Sequence, residues 1–516
     1  MFTGYIPNEK SGRSVLPFPP ALQALNAAFA CLKSDEIISD LGQYFIHYID
    51  GKTNMIFHAR LGLSLTLLLS FSAIAAPADV EQNALQILRD LINYRSTANS
   101  GQIKPMADYL HGKFLAGGFK EEDIRFIDVE PDTGALVVRY RGSSITTKPI
   151  LLMAHMDVVD ALREDWTTDP FVLTEIGGYL YGRGTLDNKG GATALTATLL
   201  RLKAAGYMPK RDLILVVTGD EETTAYSMRA LIEDHKELVD AEFALNSDAG
   251  GGSVDHQGNP LSYSFQAAEK SYMTFEITIR NNGGHSSQPR LDNAIYELAD
   301  ALKKIQTHRF PVMANDITLA SFAERAKSRT GEMAQAMRAF AENPDEETAD
   351  YFYDKPTFVG KTRTTCIPTL LNAGHAENAL PQSATATVNC RVFPGVEVHT
   401  ILETLISVVA NPNAEIKAIG DSRSSPASPL NPFLVDVLTR VVRRRLEGVS
   451  VIPSMSSGAT DAVETRAGGI PTYGVGGIVI GPDDHRAHGQ DERIKKAALF
   501  DALDHWYELL KELTDS

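Results

Sequence analysis

Cysteine and tryptophan are the scarce residues of this 516-residue chain, at three and two. Three cysteines cannot make a disulfide scaffold, and none stands in the paired spacing of a zinc finger. Basic charge is also short: 49 Lys and Arg face 65 Asp and Glu, for a net charge of −16 and a pI near 5.3. That balance argues against nucleic acid or an anionic membrane surface as a partner. No apolar run reaches the about 20 residues of a stable membrane span. There is no heptad run, no low-complexity tract, and no P-loop or dinucleotide fingerprint. What remains, 43% hydrophobic and 22% charged, is ordinary globular composition. The length exceeds what one core organises, so more than one domain is expected.

Four segments each run into a short acidic or histidine-bearing motif. Ile150–Ala154 delivers His155-Met156-Asp157, and Tyr179–Leu186 delivers Asp187-Asn188-Lys189-Gly190. Leu213–Thr218 delivers Gly219-Asp220-Glu221-Glu222, and Phe243–Asn246 delivers Ser247-Asp248. Apolar runs of this length read as strands of a sheet covered on both faces. Groups just beyond the carboxyl ends of such strands converge on the ligand crevice of an open α/β sheet. Asp187 or Asp248 alone would pass for a solvated loop acid. The ordered set, followed late in the chain by Asp484-His485-Arg486-Ala487-His488-Gly489, points to a two-metal hydrolase. The Gly-rich piece Gly474–Gly477 reads as turns beside that last loop.

The chemistry asks for these residue types. Zinc takes imidazole nitrogen and carboxylate oxygen while keeping one position open for water. Two metals about 3.5–4 Å apart need a shared ligand, and a carboxylate offers one oxygen to each. Coordination lowers the pKa of water towards about 7, and a nearby carboxylate must take the proton and pass it to the leaving nitrogen. The adjacent Glu221 and Glu222 fit such a division between base and ligand. A ligating His also needs its other ring nitrogen fixed, and Asp157 stands two residues beyond His155.

From about Leu85 to the C-terminus the chain resembles the di-zinc metallopeptidase family M20, which contains glutamate carboxypeptidase, aminoacylase-1, succinyl-diaminopimelate desuccinylase and carboxypeptidase S. The resemblance is carried by Ala154–Asp157, Gly182–Gly190, Gly219–Glu222 and the Gly283-Gly284-His285-Ser286-Ser287 turn. It implies one zinc on His155, Asp187 and Asp248 and a second on Asp187, Glu222 and His488, with Asp187 bridging; Co2+ or Mn2+ are conceivable substitutes. It implies Glu221 as general base and Asp157 as the orienting partner of His155. His485 neighbours His488, but its spacing after Pro482 and the following Asp491-Glu492 favour His488 as the ligand. The family's matching His reaches a neighbouring active site and holds the scissile carbonyl oxygen, which assigns that role to His285 in a homodimer. Asn378 and Arg391 match its Asn-x-x-Pro followed by a strand-borne Arg, a pair suited to a substrate carbonyl and carboxylate. Gly458, in Ser456–Asp461, matches a loop whose backbone approaches the substrate. A surface ion pair is the alternative reading of Arg391.

The expected architecture is α/β: a catalytic domain with a mixed, largely parallel sheet flanked by helices, plus an inserted two-layer α+β lid or dimerisation domain. Within the insertion, Ser271–Arg280 alternates as a strand and Asn293–Gln306 has helical spacing. Arg363–Leu371 and Ala384–Val392 read as a hairpin, Thr400–Val409 as a helix and Ala414–Ile419 as a closing strand. Ala314–Tyr353 is an addition with spacings for one or two helices, and Pro432–Leu446 reads as a helix after the return. The boundaries are 77–268 and 423–516 for the catalytic domain and 269–422 for the insertion. Upstream, a basic start at Met55, a short apolar core and an Ala-x-Ala end at Ala76 read as a signal peptide over 55–76, with 1–54 an upstream extension. A buried helix is the alternative. With the leader used, the enzyme is periplasmic or secreted; otherwise it is cytoplasmic. Cys31 would leave with the leader. A hairpin centred near Asn378 places Cys366 opposite Cys390, either bridged in an oxidising compartment or as two reduced core thiols.

The combined expectation is a zinc-dependent exopeptidase, a carboxypeptidase or dipeptidase, that cleaves an amide bond next to a free carboxylate. Metal-bound water is the expected nucleophile, with Glu221 as base. Its substrate would be a small peptide or an N-acyl amino acid, an N-acyl-amino-acid deacylase being the alternative within the family. A non-catalytic binding protein that keeps the fold is the alternative of another class, and the full ligand set with Glu221 counts against it.

Overall fold

The computed structural model describes residues 77–130 and 132–515. The extension 1–54, the signal-peptide segment 55–76 and Cys31 lie outside the described residues. The largest sheet among the described residues has nine strands. Across it run Ile124–Glu130, Thr133–Tyr140, Leu213–Thr218, Ile150–His155, Phe243–Asn246, Thr472–Gly474, Pro260–Glu269 and Val451–Ser456, with Gly251–Val254 paired beside Pro260–Glu269. Its centre is parallel, where Ile150–His155 pairs with both Leu213–Thr218 and Phe243–Asn246. The outer strands Ile124–Glu130 and Thr133–Tyr140 are antiparallel.

Alternation along the buried strands explains the layers. Ile150, Leu152 and Leu215 join one core with Leu195 and Leu199 of the helix Lys189–Ala204 and Trp506 of the helix Lys496–Asp515. Leu151, Met153, Ile214 and Val216 face the other way, onto Met228, Leu231 and Ile232 of the helix Tyr226–Glu233. Every residue of Ile150–His155, Leu213–Thr218 and Phe243–Asn246 is buried, as a strand covered on both faces requires. The parallel centre therefore aims three strand ends at one edge.

Two readings of the sequence need correction here. Tyr179–Leu186 is not a strand of the main sheet. Only Tyr179–Tyr181 is extended, in a separate three-stranded antiparallel sheet with Thr174–Ile176 and Arg493–Lys495. Gly182–Leu186 forms a loop instead, and Gly184 takes the left-handed φ of +93° that ends a strand. Gly474 is a strand residue and not part of a turn. It sits where a Cβ would lie 2.4 Å from the Ala249 Cβ, so the glycine permits close strand packing.

The segment 271–419 builds a second sheet, in the order Thr365–Ala373, Ser383–Val392, Ser271–Arg280, Ala414–Ile419. Ser383–Val392 alternates strictly between buried and half-buried. Its buried face packs with Met273, Phe275 and Ile277 against the helices Ala294–Thr307 and Val398–Val409, in a core separate from that of the large sheet. Cys366 pairs with Cys390 in the hairpin register, and the two are joined as a disulfide. The addition after Ala314 holds more helix than its spacing suggested: Asp316–Lys327, Gly331–Glu342 and Glu346–Tyr353, then Pro356–Thr362. Asn315 and Asp345 each cap a helix through a capping box, and Phe322, Phe340 and Phe352 fill a small aromatic core. Among the described residues no helix is long and apolar enough to cross a membrane.

Candidate metal centre

His155 closes its strand fully buried. Its Nδ1 lies 3.1 Å from the Asp157 backbone carbonyl and 3.4 Å from that residue's carboxylate. A carbonyl only accepts, so Nδ1 carries the proton and Nε2 is free to ligate. Nε2 stands 2.9 Å from Asp187 Oδ1 and 3.6 Å from Asp248 Oδ1. On the other side His488 Nε2 lies 3.2 Å from Asp187 Oδ2 and 3.0 Å from Glu222. Asp187 thus turns one oxygen to each histidine, the arrangement a bridging ligand needs. Each trio, His155–Asp187–Asp248 and Asp187–Glu222–His488, holds its donor atoms within 4.8 Å of one another. His485 is exposed and belongs to neither.

Glu221 forms a third such grouping with His155 and Glu222, its Oε2 being 3.9 Å from His155 Nε2. Distance therefore leaves its role between base and ligand. Asp157 has a second task that its spacing did not reveal. Its carboxylate accepts the backbone N–H groups of Glu221 at 3.2 Å and Glu222 at 2.9 Å, which fixes the loop carrying both acids. Asp220 holds the next turn by accepting from Thr224 Oγ1 and Ser227 N.

The electrostatics call for cations. Burial lowers the His155 imidazole pKa, but Asp248, Asp157 and Asp187 overcome this and hold it well above the usual value. Burial, then Asp187, pushes the Asp248 carboxyl up to about 7, and burial drives Glu221 well above its ordinary range. Hydrogen bonds to Asp187 and Glu222 raise His488 to about 10. Burial also opposes ionisation of Asp187, yet His155 and His488 hold its carboxyl well below the usual range. Among the described residues, the ion pairs of Asp187, Glu221, Glu222 and Asp248 are with these two histidines alone. Four crowded carboxylates facing two imidazoles need more positive charge than the chain supplies. Divalent cations fit this set of hard oxygen and imidazole donors.

Two further groups support the centre without having been singled out. Glu492 is fully buried and accepts from Arg183 Nη1 at 2.7 Å and from the backbone N–H groups of Gly184, Leu186 and Asp187. It thereby ties the loop presenting Asp187 to the segment presenting His488. Removing one partner of a buried ion pair costs about 3–5 kcal/mol. We expect Glu492→Ala to lower thermal stability and to lose metal on dialysis, while Glu492→Gln, which keeps an acceptor oxygen, recovers part of both. Metal analysis alongside thermal melts checks this. Asp461 is buried behind His155, hydrogen-bonded through Oδ2 to Thr218 Oγ1, with burial pushing its carboxyl well up. Neither residue has a motif that isolates it; each is recognisable only from what it touches.

A cleft of about 760 Å³ opens over Glu221, Glu222 and His488 and is bounded on the insertion side by Tyr272, Thr274 and Arg391. Gly458 lines it, as does Thr460. The Arg391 guanidinium lies 4.7 Å from the Tyr272 ring and has no acidic partner among the described residues, which removes the surface ion-pair reading. Buried Lys270 stands close enough for Arg391 to help burial push its ammonium down to about 7. His285 and Asn378 do not line the cleft. They sit together, exposed, on a two-stranded ribbon, where Asn378 O accepts the N–H of Ser286. His285 Nδ1 accepts from Ser287 N and faces its Oγ at 2.8 Å, which leaves Nε2–H as a donor.

The family model described as peptidase family M20/M25/M40 matches residues 151–512. The N-fatty-acyl-amino acid synthase/hydrolase of Homo sapiens is 29% identical over 385 residues, covering 72% of this chain and 75% of its own. A probable succinyl-diaminopimelate desuccinylase of Staphylococcus aureus is 27% identical over 432 residues, covering 82% and 96%. Among solved structures, a metallo-carboxypeptidase from Sulfolobus solfataricus superposes with a TM-score of 0.63 at 19% identity, covering 83% of this chain and 98% of that one. A Bacillus subtilis protein described as a dinuclear metal binding peptidase gives 0.55 at 14% identity, covering 85% and 99%.

Proposed function

The chain belongs to peptidase family M20/M25/M40 and is a metallohydrolase; on that premise we propose that it is an exopeptidase cleaving an amide bond next to a free carboxylate. The observation that carries this reading is Arg391, a cation in the cleft without an acidic partner among the described residues and backed by Lys270. A planar guanidinium pairs two-fold with a carboxylate, and its stacking on Tyr272 limits how it turns. His155, Asp187 and Asp248 would hold one metal, and Asp187, Glu222 and His488 the other. Zinc suits the mixed nitrogen and oxygen donors. When bound, such a pair polarises the scissile carbonyl and makes water acidic enough to attack near neutral pH. Glu221, held at the cleft floor by the Asp157 carboxylate, takes the proton from the attacking water and delivers it to the departing nitrogen. Gly458 lines the path of the substrate backbone.

A second reading, N-acyl-amino-acid hydrolysis, is favoured by the Homo sapiens relative and keeps the same carboxylate anchor. A panel of dipeptides, N-acyl amino acids and their C-terminal amides separates the two. Free-acid substrates should be turned over and the amides poorly, by at least about tenfold in kcat/KM, equivalent to about 1.4 kcal/mol. Equal turnover of acids and amides would remove Arg391 as anchor.

The chain is proposed to work as a homodimer in which His285 and Asn378 serve the partner's cleft, since neither lines its own. Leu291, Tyr296, Leu370 and Leu371 are exposed large apolar residues of the insertion and would supply the contact. Mixing inactive His285→Ala with inactive Glu221→Gln should then restore activity to a fraction of the mixed dimers. No recovery after verified subunit exchange would mean that His285 acts within its own chain or only supports its turn. The Cys366–Cys390 disulfide supports an exported enzyme, as the leader reading of 55–76 proposes.

A further inference from the structure

The helices added after Ala314 wall off a second cavity, of about 510 Å³, away from the metal centre. It lies between the C-terminal end of the helix Ala294–Thr307, the loop through Phe310, and the start of the strand Thr365–Ala373. Although the chain carries a net charge of −16, no acid among the described residues lines this cavity, whereas Lys303, His308, Arg309 and Arg363 all do. The rest of its wall is largely apolar, including Leu302, Ile305, Phe310, Val359 and Ile367.

Two nitrogen atoms of its lining residues, His308 Nε2 and Arg363 Nε, have no partner among the described residues, but both are sealed from solvent and neither opens into the cavity. Arg363 is 1% exposed, and its guanidinium donates to the Phe310 carbonyl at 2.7 Å and to Glu346 at 3.1 Å. Arg309 lies 3.9 Å from the Tyr353 ring centre and pairs with the exposed Asp350. The Lys303 ammonium donates to the Gln306 side-chain oxygen at 2.7 Å and has no acidic partner among the described residues. The rim cations Lys303 and Arg309, with no acid beside them in the lining among the described residues, favour an anion, and the aliphatic wall favours a hydrocarbon.

We propose that this cavity binds a carboxylate carried on an aliphatic chain, its head at the rim cations Lys303 and Arg309 and its tail along Leu302, Ile305 and Ile367. The volume falls within the range of sites for small organic ligands. A free fatty acid and an N-acyl amino acid share this chemistry, and both are therefore used as probes. The site does not depend on the proposed reaction, because no residue that lines it also lines the cleft.

The test is calorimetric titration of the full-length protein with decanoate and with N-decanoylglycine, the latter on a Glu221→Gln, Arg391→Ala background so that it is neither consumed nor anchored in the cleft. Acetate and decanol are the controls. Lys303→Glu and Ile367→Asp change exposed positions and leave buried Arg363 in place. Each should weaken decanoate binding by about tenfold or more. Arg391→Ala, which alters the cleft, should leave that binding intact. Tighter binding of N-decanoylglycine than of decanoate would identify the acyl amino acid as the natural form, and the reverse would identify the free acid. The proposal is overturned if neither probe binds, if acetate or decanol binds as tightly as decanoate, or if binding is lost in Arg391→Ala and kept in Lys303→Glu. That last pattern would place the carboxylate in the cleft and leave the proposed reaction standing.

Discussion

Glu221→Gln should retain its metals and its fold while losing turnover by about 10²–10⁴-fold, the usual contribution of a positioned general base. The amide keeps the size of the side chain but cannot accept a proton. Glu222→Gln, one residue on, should instead weaken metal binding, because Glu222 stands 3.0 Å from His488 in the second donor trio. Geometry places Glu221 in a donor grouping of its own, so the pair of variants decides between its two roles. Metal content measured beside kcat separates them. Metal loss in Glu221→Gln would make that residue a ligand, and full activity in it would end the general-base assignment.

Asp187→Ala should have the largest effect on metal content. Its two oxygens face different histidines, at 2.9 and 3.2 Å, so one truncation takes a donor from both trios. His488→Ala removes a donor from one trio only and should leave the His155 side loaded. His488 is also the exposed member of its trio and holds a left-handed φ of +62°, a conformation unusual for a residue with a side chain. Its loop is kept in place largely by Glu492 and by Arg183, which donates to the Gly489 carbonyl. Full metal content in Asp187→Ala would exclude the shared-ligand arrangement.

Much of this site was legible because strand ends are legible. Leu213–Thr218 and Phe243–Asn246 occur with the bounds their apolar runs suggested, and the residues that follow them fall at one edge of a parallel centre. The two strands fold about a centre near Asn378, which is why Cys366 could be set opposite Cys390, although a bulge between Pro368 and Leu370 shifts the rest of the register. Tyr179–Leu186 misled for a physical reason. Its apolar residues are separated by Gly182, Arg183 and Gly184, and the loop's shape comes from a carboxylate more than 300 positions away, as the span from Arg183 to Glu492 shows. Long-range polar contacts of this kind leave no periodic trace. The same holds for Asp461 and for the second task of Asp157, which depend on which backbone groups meet in three dimensions. The helices after Ala314 were visible as helical spacing, but the cavity they close with Arg363 was not.

The most direct test of a two-metal hydrolytic centre is elemental analysis of the purified mature protein combined with assays after chelation and metal return. The account predicts up to two divalent ions per chain, hydrolysis abolished when both are removed, and recovery on adding zinc back. Unchanged hydrolysis in protein shown to be free of metal would contradict it.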